Sequence, residues 1–165
     1  MTNTILPDSI LDAHVRRPGD VIRGDAGVNI LEGTMGDDRI LGLSGNDLMN
    51  GHEGDDILEG GNGEDMLTGN EGADRFVIDH HDGNDIISDF VPTNSPCPEG
   101  VFCVHGGFPE DRIVLWGEKP GDVQAILDSV TVSSRGEAVI TYGETTVTFV
   151  GIPPEDVSGL WFDLT

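Results

Sequence analysis

The sequence predicts an all-β fold: a parallel solenoid of nine-residue repeats, followed by a mainly antiparallel β cap with short helices. Three observations carry this. Gly24 to Val77 divides every nine residues into GDAGVNILE, GTMGDDRIL, GLSGNDLMN, GHEGDDILE, GGNGEDMLT and GNEGADRFV. Positions 1 and 4 are glycine in all six units (Gly24, Gly33, Gly42, Gly51, Gly60, Gly69; Gly27, Gly36, Gly45, Gly54, Gly63, Gly72), and position 6 is Asn29, Asp38, Asp47, Asp56, Asp65 and Asp74. Position 8 is always apolar: Leu31, Ile40, Met49, Leu58, Leu67 and Phe76. A fixed period of this length is the mark of stacked repeats.

The period has a physical reading. Six residues form a turn and three form a short strand. Glycines at positions 1 and 4 permit backbone angles closed to other residues and let turns stack closely. Side chains alternate along a strand, so position 8 points inward and positions 7 and 9 point outward. Successive strands fall on opposite sheets, both parallel, and each turn stacks on the turn two repeats away. The resulting core is thin. One buried aliphatic side chain stabilises by about 1.5–3 kcal/mol, but it serves nine residues that each cost about 1–2 kcal/mol to order. Something must therefore bind the turns.

Charge indicates what. The net charge is −23, with a single lysine, Lys119. This excludes nucleic acid and anionic membrane surfaces as partners. No apolar run reaches the ~18 residues of a membrane span, and the start shows no cleavable secretory signal. Within the repeats, thirteen acidic and two basic residues leave −11. The turns offer backbone carbonyls, among them those of Gly27, Gly36, Gly45, Gly54, Gly63 and Gly72, together with the position-6 carboxylates. Oxygen-only donors suit calcium, whereas soft metals would want Cys or His. Stacking pairs Asp38 with Asp56, Asp56 with Asp74 and Asp47 with Asp65. Asn29 pairs with Asp47 more weakly, lacking a charge. Flanking pairs, Asp20 with Asp38 and Asp65 with Asp85, extend the series to roughly four to six ions.

Gly60–Thr68, GGNGEDMLT, fits the pattern G-G-x-G-x-D-x-U-x, and its neighbours fit all but the second glycine. The stretch resembles the calcium-binding repeat of RTX proteins. The resemblance implies a parallel β-roll with calcium held by turn carbonyls and position-6 aspartates. It also implies a secreted protein, exported by a bacterial type I system through an uncleaved C-terminal signal, whose roll folds on meeting calcium outside the cell. Asp25, Thr34, Leu43, His52 and Asn70 replace the second glycine and are expected to loosen individual turns.

In chain order, residues 1–23 form a leader or N-terminal cap whose VRRPGDVIR is a degenerate repeat, with Asp20 at position 6 and Ile22 at position 8. Residues 24–90 form the roll, ending in a seventh, degenerate repeat with Gly83, Asp85 and Ile87. Its DGNDIISDF resembles the segment that closes such rolls, where Asp82, Asp85 and Asp89 are expected to ligate the last ion. His80 and His81 read as polar loop. Residues 91–110 are a Pro- and Gly-rich loop holding Cys97 and Cys103, which either remain two thiols or form a disulfide in an exported protein. Residues 111–165 read as strand DRIVLWG, short helix GDVQAILDSV, and strands VTVSS, EAVITYG and TTVTFVG with a YGETT hairpin. The ending WFDLT resembles the terminus of RTX secretion signals.

Catalytic signatures are missing from the sequence. His52-Glu53 lacks the second histidine of a zinc-protease motif, Ser44 in GLSGN is not a hydrolase elbow, and Lys119 belongs to no phosphate loop. The leading expectation is a non-enzymatic calcium-binding secreted module, which the opening Met1 suggests is freestanding. The alternatives are the C-terminal module of a larger exported enzyme (a protease, lipase or polysaccharide-modifying enzyme) and a surface adhesive protein. Position 7, although outward, is Ile30, Leu48 and Met66 on one sheet. This stripe is expected to be covered by the cap or by a second copy in a homodimer.

Overall fold

The computed structural model describes residues 3–5, 21–91, 111–115, 122–157 and 162–164. Asp20, Cys97 and Cys103 lie outside the described residues, as do most of the expected leader, most of the loop and the two ends of WFDLT.

The repeats alternate between two sheets. The first contains β1 (Asn3–Ile5), β3 (Asn29–Glu32), β5 (Leu48–Glu53), β7 (Met66–Glu71) and β9 (Asn84–Ile87). The second contains β2 (Val21–Arg23), β4 (Arg39–Ser44), β6 (Ile57–Asn62) and β8 (Arg75–Ile78). All these strands are parallel, and from β2 to β8 the register steps by eighteen residues: Leu31 faces Met49, Met49 faces Leu67, Ile40 faces Leu58 and Leu58 faces Phe76. The step becomes twenty between β7 and β9, where the loop before Gly83 has two extra residues.

The position-8 column is the core. Leu31, Ile40, Met49, Leu58, Leu67 and Phe76 are fully buried, and Ile22 and Ile87 extend the column at its two ends. Strands β4 to β7 are six residues long, not three, because pairing resumes past position 1. Leu43 faces Gly61, and His52 faces Asn70.

The cap continues the roll end-on. On the second sheet, β10 (Arg112–Leu115) pairs in parallel with β8, and β14 (Phe162–Leu164) pairs in parallel with β10. On the first, β13 (Thr145–Phe149) pairs in parallel with β9, and β12 (Ala138–Tyr142) and β11 (Thr131–Val132) follow antiparallel. Helix α1 (Asp122–Asp128) lies against β12 with Ile126 buried. Phe90 joins the sheets inside, its ring centroid 6.0 Å from that of Phe76 and 5.2 Å from that of Phe149. Thr145 latches the hairpin to the roll: its Oγ donates to the Asp79 carbonyl (2.7 Å) and accepts from the Asp82 N–H (2.9 Å).

One expectation needs correction. The cap does not fold back over the outward stripe. Leu48 and Met66 are each 42% exposed, and Ile86 extends their row. The physical reason is that the cap strands satisfy the open sheet edges, which present unpaired backbone groups, and so lie at the end of the roll instead of across its face.

Candidate metal centre

The turns stack into two edges. Turns 24–29, 42–47, 60–65 and 79–85 lead into the first sheet and form one edge. Turns 33–38, 51–56 and 69–74, with Ser88–Val91 and Asp111 beyond them, lead into the second sheet and form the other. At every junction one position-6 side-chain oxygen accepts the backbone N–H of the position-6 residue one turn earlier on the same edge. On the first edge the Asn29 N–H donates to Asp47 Oδ1 (2.8 Å), Asp47 to Asp65 (2.8 Å) and Asp65 to Asp85 (3.1 Å). On the second, Asp38 donates to Asp56 (2.7 Å), Asp56 to Asp74 (3.0 Å) and Asp74 to Asp111 (3.0 Å). All eight residues of these two ladders are buried.

That bond uses one oxygen of each carboxylate. The other oxygen of Asp47, Asp56, Asp65 and Asp74 is buried with no hydrogen-bond partner. Leaving a buried carboxylate oxygen unmatched is expensive. Asn29 is different: its Oδ1 accepts the Asp25 N–H (2.7 Å) and its Nδ2 donates to Asp25 Oδ1 (3.2 Å). Asp38 Oδ2 accepts from the N–H and the hydroxyl of Thr34.

Position-1 glycines lie beside these oxygens. A Cβ on Gly42 would collide with Asp47 Oδ2 and with the Gly60 carbonyl oxygen, and one on Gly51 would collide with Asp56 Oδ2 and the Gly69 carbonyl oxygen. Carboxylate and carbonyl oxygens of stacked turns thus converge on one small space, so position 1 needs glycine for room. Position 4 needs it for conformation: Gly54 has φ 120° and would strike the Gly36 backbone if substituted.

Burial dominates the electrostatics. It pushes the carboxyls of Asp56, Asp65, Asp85 and Asp111 up to about 7 and that of Asp74 up to about 6, with repulsion from neighbouring carboxylates adding to the effect. Asp47 and Asp82 are raised as well, again chiefly by burial.

Such a donor set fits a hard cation. Unpartnered buried carboxylate oxygens, neighbouring carbonyls and mutually repelling acids all call for positive charge. Among the described residues no three Asp, Glu, His or Cys side chains form a ligand cluster by themselves. Carbonyls must complete each site.

Not every expected grouping is present. Asp85 belongs to the first edge. Asp89 lies on the second, where its carboxylate accepts the Gly69 N–H (3.0 Å) and the Asn70 N–H (2.7 Å). Asp82, Asp85 and Asp89 therefore do not gather round one ion, because successive turns face opposite edges. Asp111 went unrecognised in the sequence because the long segment before it breaks the period. The available signal was a triplet: Asp111-Arg112-Ile113 repeats Asp38-Arg39-Ile40 and Asp74-Arg75-Phe76.

The family model of the RTX calcium-binding nonapeptide repeat (4 copies) matches residues 19–49, 41–76 and 50–87. Residues 19–87 are RTX calcium-binding repeats. Calcium is accordingly the metal that these turns imply. Among solved structures, extracellular lipase LipA from Serratia marcescens aligns over 88% of this chain at 21% identity and TM-score 0.61. The chain spans only 21% of that lipase, and the likeness bears on fold alone. A subunit of the mannuronan C5-epimerase from Azotobacter vinelandii, solved in solution, aligns over 84% of this chain and 80% of its own length, at 26% identity and TM-score 0.55. No curated protein matches the sequence. Among the described residues no helix is long and apolar enough to cross a membrane.

Proposed function

We propose that this RTX chain is a non-catalytic, secreted module whose roll folds on binding calcium outside the cell. The observation that carries the reading is the set of buried, unpartnered oxygens on Asp47, Asp56, Asp65 and Asp74. In a low-calcium compartment these carboxylates repel across the junctions that pair two of them and hold those turns apart. Calcium supplies the missing partner, and the thin position-8 column then suffices to zip the sheets. About four to six ions match the oxygen sets of the junctions, with Asn29, Asp38, Asp47, Asp56, Asp65, Asp74, Asp85 and Asp89 contributing side chains and Gly27, Gly36, Gly45, Gly54, Gly63 and Gly72 lying in the same turns. Export by a type I system through a C-terminal signal accords with the RTX repeats.

A second reading places the same module within a larger exported enzyme. The alignment to most of an epimerase subunit favours it. Calcium does the same work in both readings.

Calcium titration of the chelated chain, followed by far-ultraviolet circular dichroism with magnesium as control, tests the proposal. The strand signal is expected to appear cooperatively with calcium and not with magnesium, which demands a tighter octahedral site. A roll fully formed in chelator would overturn it.

A further inference from the structure

The two outer faces of the roll carry opposite charge along the same border. We propose that a second copy of this chain docks there, its arginine row entering a groove on the first sheet, so that calcium-loaded rolls stack face to back. The contact needs a folded roll and so rests on the calcium reading above.

The groove lies where the first-sheet strands run into the second edge. Its volume is about 410 Å³, and its side chains are Thr34, Met35, His52, Glu53, Asn70 and Glu71. Three of these are held by neighbours. The Thr34 hydroxyl donates to Asp38 Oδ2, Asn70 Nδ2 donates to Asn50 Oδ1, and His52 Nε2 contacts Glu32 Oε2. The Glu53 and Glu71 carboxylates have no partner among the described residues. They stand in register on adjacent strands, beside Met35, which is 38% exposed. Unpaired carboxylates next to an exposed apolar side chain suit a cation on an apolar stem, which is what an arginine side chain offers.

The opposite face supplies that group. On the second sheet, position 7 reads Val21, Arg39, Ile57, Arg75 and Arg112 in unbroken register. Arg23 lies on the same face, so four of the five arginines among the described residues stand there, and the first-sheet strands carry none. Arg39 pairs with Glu59 (3.3 Å), whereas the exposed Arg75 has no partner among the described residues.

Topology places the two rows back to back. Position 3 of the groove repeats (Met35, Glu53, Glu71) enters the second edge from the first sheet, and position 7 of the second sheet leaves that edge. A copy translated along the normal to the sheets therefore sets its arginine row over the groove of its neighbour. Both rows have the spacing of stacked strands, about 4.8 Å, so they stay in step. An offset of one strand puts Ile57 on Met35, Arg75 at Glu53 and Arg112 at Glu71. The same contact covers Leu48 and Met66, the exposed stripe of the first sheet.

Six strands of about six residues cover roughly 600 Å² a side, near the lower bound of specific contacts. Association is therefore weak and sensitive to salt. The patches on the two copies differ, so the contact does not close into a dimer and builds open stacks.

Sedimentation velocity of the full chain in calcium at low ionic strength, with circular dichroism on the same samples, tests this. Wild type is expected to sediment faster as its concentration rises, and to return to monomer at about 1 M salt, where charges are screened within ~3 Å. Glu53→Gln with Glu71→Gln disables the groove, and Arg75→Glu disables the row. Each variant alone is expected to stay monomeric. Mixed, they restore one contact, the row of the first in the groove of the second, and form a 1:1 complex that grows no further. A folded wild type that stays monomeric at every concentration would overturn self-docking and leave the groove to a basic peptide of another protein. Variants that associate like wild type, or a mixture that forms no complex, would also overturn it, with the calcium function still standing. A wild type without strand signal in calcium would instead overturn the function proposed above.

Discussion

The two edges of the roll share one backbone plan and differ in charge. On the second edge positions 5 and 6 read Asp37-Asp38, Asp55-Asp56 and Ala73-Asp74; on the first they read Val28-Asn29, Asn46-Asp47, Glu64-Asp65 and Asn84-Asp85. Position-5 side chains stitch the turns in the direction opposite to position 6. The Asp55 N–H donates to Asp37 Oδ1 and the Ala73 N–H to Asp55 Oδ1 on the second edge, and the Glu64 N–H donates to Asn46 Oδ1 on the first. The same stitch is thus made by a neutral amide on one edge and by a carboxylate on the other. The first edge also opens on Asn29, which Asp25 satisfies, and ends latched to the cap by Thr145. Hydrogen bonding alone would accept either residue type. The excess of Asp on the second edge makes its junctions more dependent on a cation, and the edges should therefore respond unequally to loss of charge.

The largest effect is expected at Asp56, which joins the 38–56 and 56–74 junctions. Asp56→Asn preserves shape but removes a buried charge from both. A loss of about 3 kcal/mol is expected, as when one partner of a buried ionic contact is removed, or roughly a hundredfold in calcium affinity. Asn29→Ala removes neutral hydrogen bonds at one junction and should cost about 1 kcal/mol. Calcium midpoints from circular dichroism compare them, and equal shifts would erase the distinction between the edges.

Acidity should move the calcium-free and calcium-loaded roll in opposite directions. The carboxyls of Asp56, Asp65, Asp85 and Asp111 are raised to about 7 by burial, against about 3.9 in an unfolded chain. The folded state then binds more protons than the unfolded state, so stability of the calcium-free roll falls as pH rises from about 4 to about 7. Calcium-depleted protein should show more strand signal at pH 5 than at pH 8. In calcium the sign reverses, since protons compete for the same oxygens and the midpoint concentration rises on acidification. Identical pH trends with and without calcium would remove the carboxylates from the account.

Legibility in the sequence followed the period. The inward column from Leu31 to Phe76 and the position-6 ladder could be read because each depends on local spacing that repeats. Asp111 could not be read that way, since its place depends on pairing between β8 and β10 across a long insertion. The cap shows the same limit. Alternation in EAVITYG and TTVTFVG predicts strands and their hairpin, but nothing local says that β13 also adds in parallel to β9. The two roles of glycine were likewise merged in the sequence. The structure shows that position 1 needs space beside a carboxylate oxygen, whereas position 4 at Gly45, Gly54, Gly63 and Gly72 needs both space against the stacked backbone and a positive φ.

The smallest effect concerns position 2. The family pattern has a second glycine there, and Gly61 keeps it with φ 87°, but Leu43 and His52 adopt φ 81° with full side chains. A side chain in this left-handed region costs about 1–2 kcal/mol. Leu43 lies on the first edge and His52 on the second. Replacing either by glycine relieves strain, less the extra entropy glycine loses on folding, about 0.5–1 kcal/mol. For Leu43→Gly the net is a stabilisation of about 0.5 kcal/mol. His52 Nε2 also contacts Glu32 Oε2 at 2.8 Å on the exposed face, and losing such a surface pair forfeits up to about 1 kcal/mol. His52→Gly should therefore be neutral or slightly destabilising. Urea unfolding in saturating calcium separates the two. A His52→Gly variant more stable than Leu43→Gly would show that strain, and not the Glu32 contact, governs the second edge at this position.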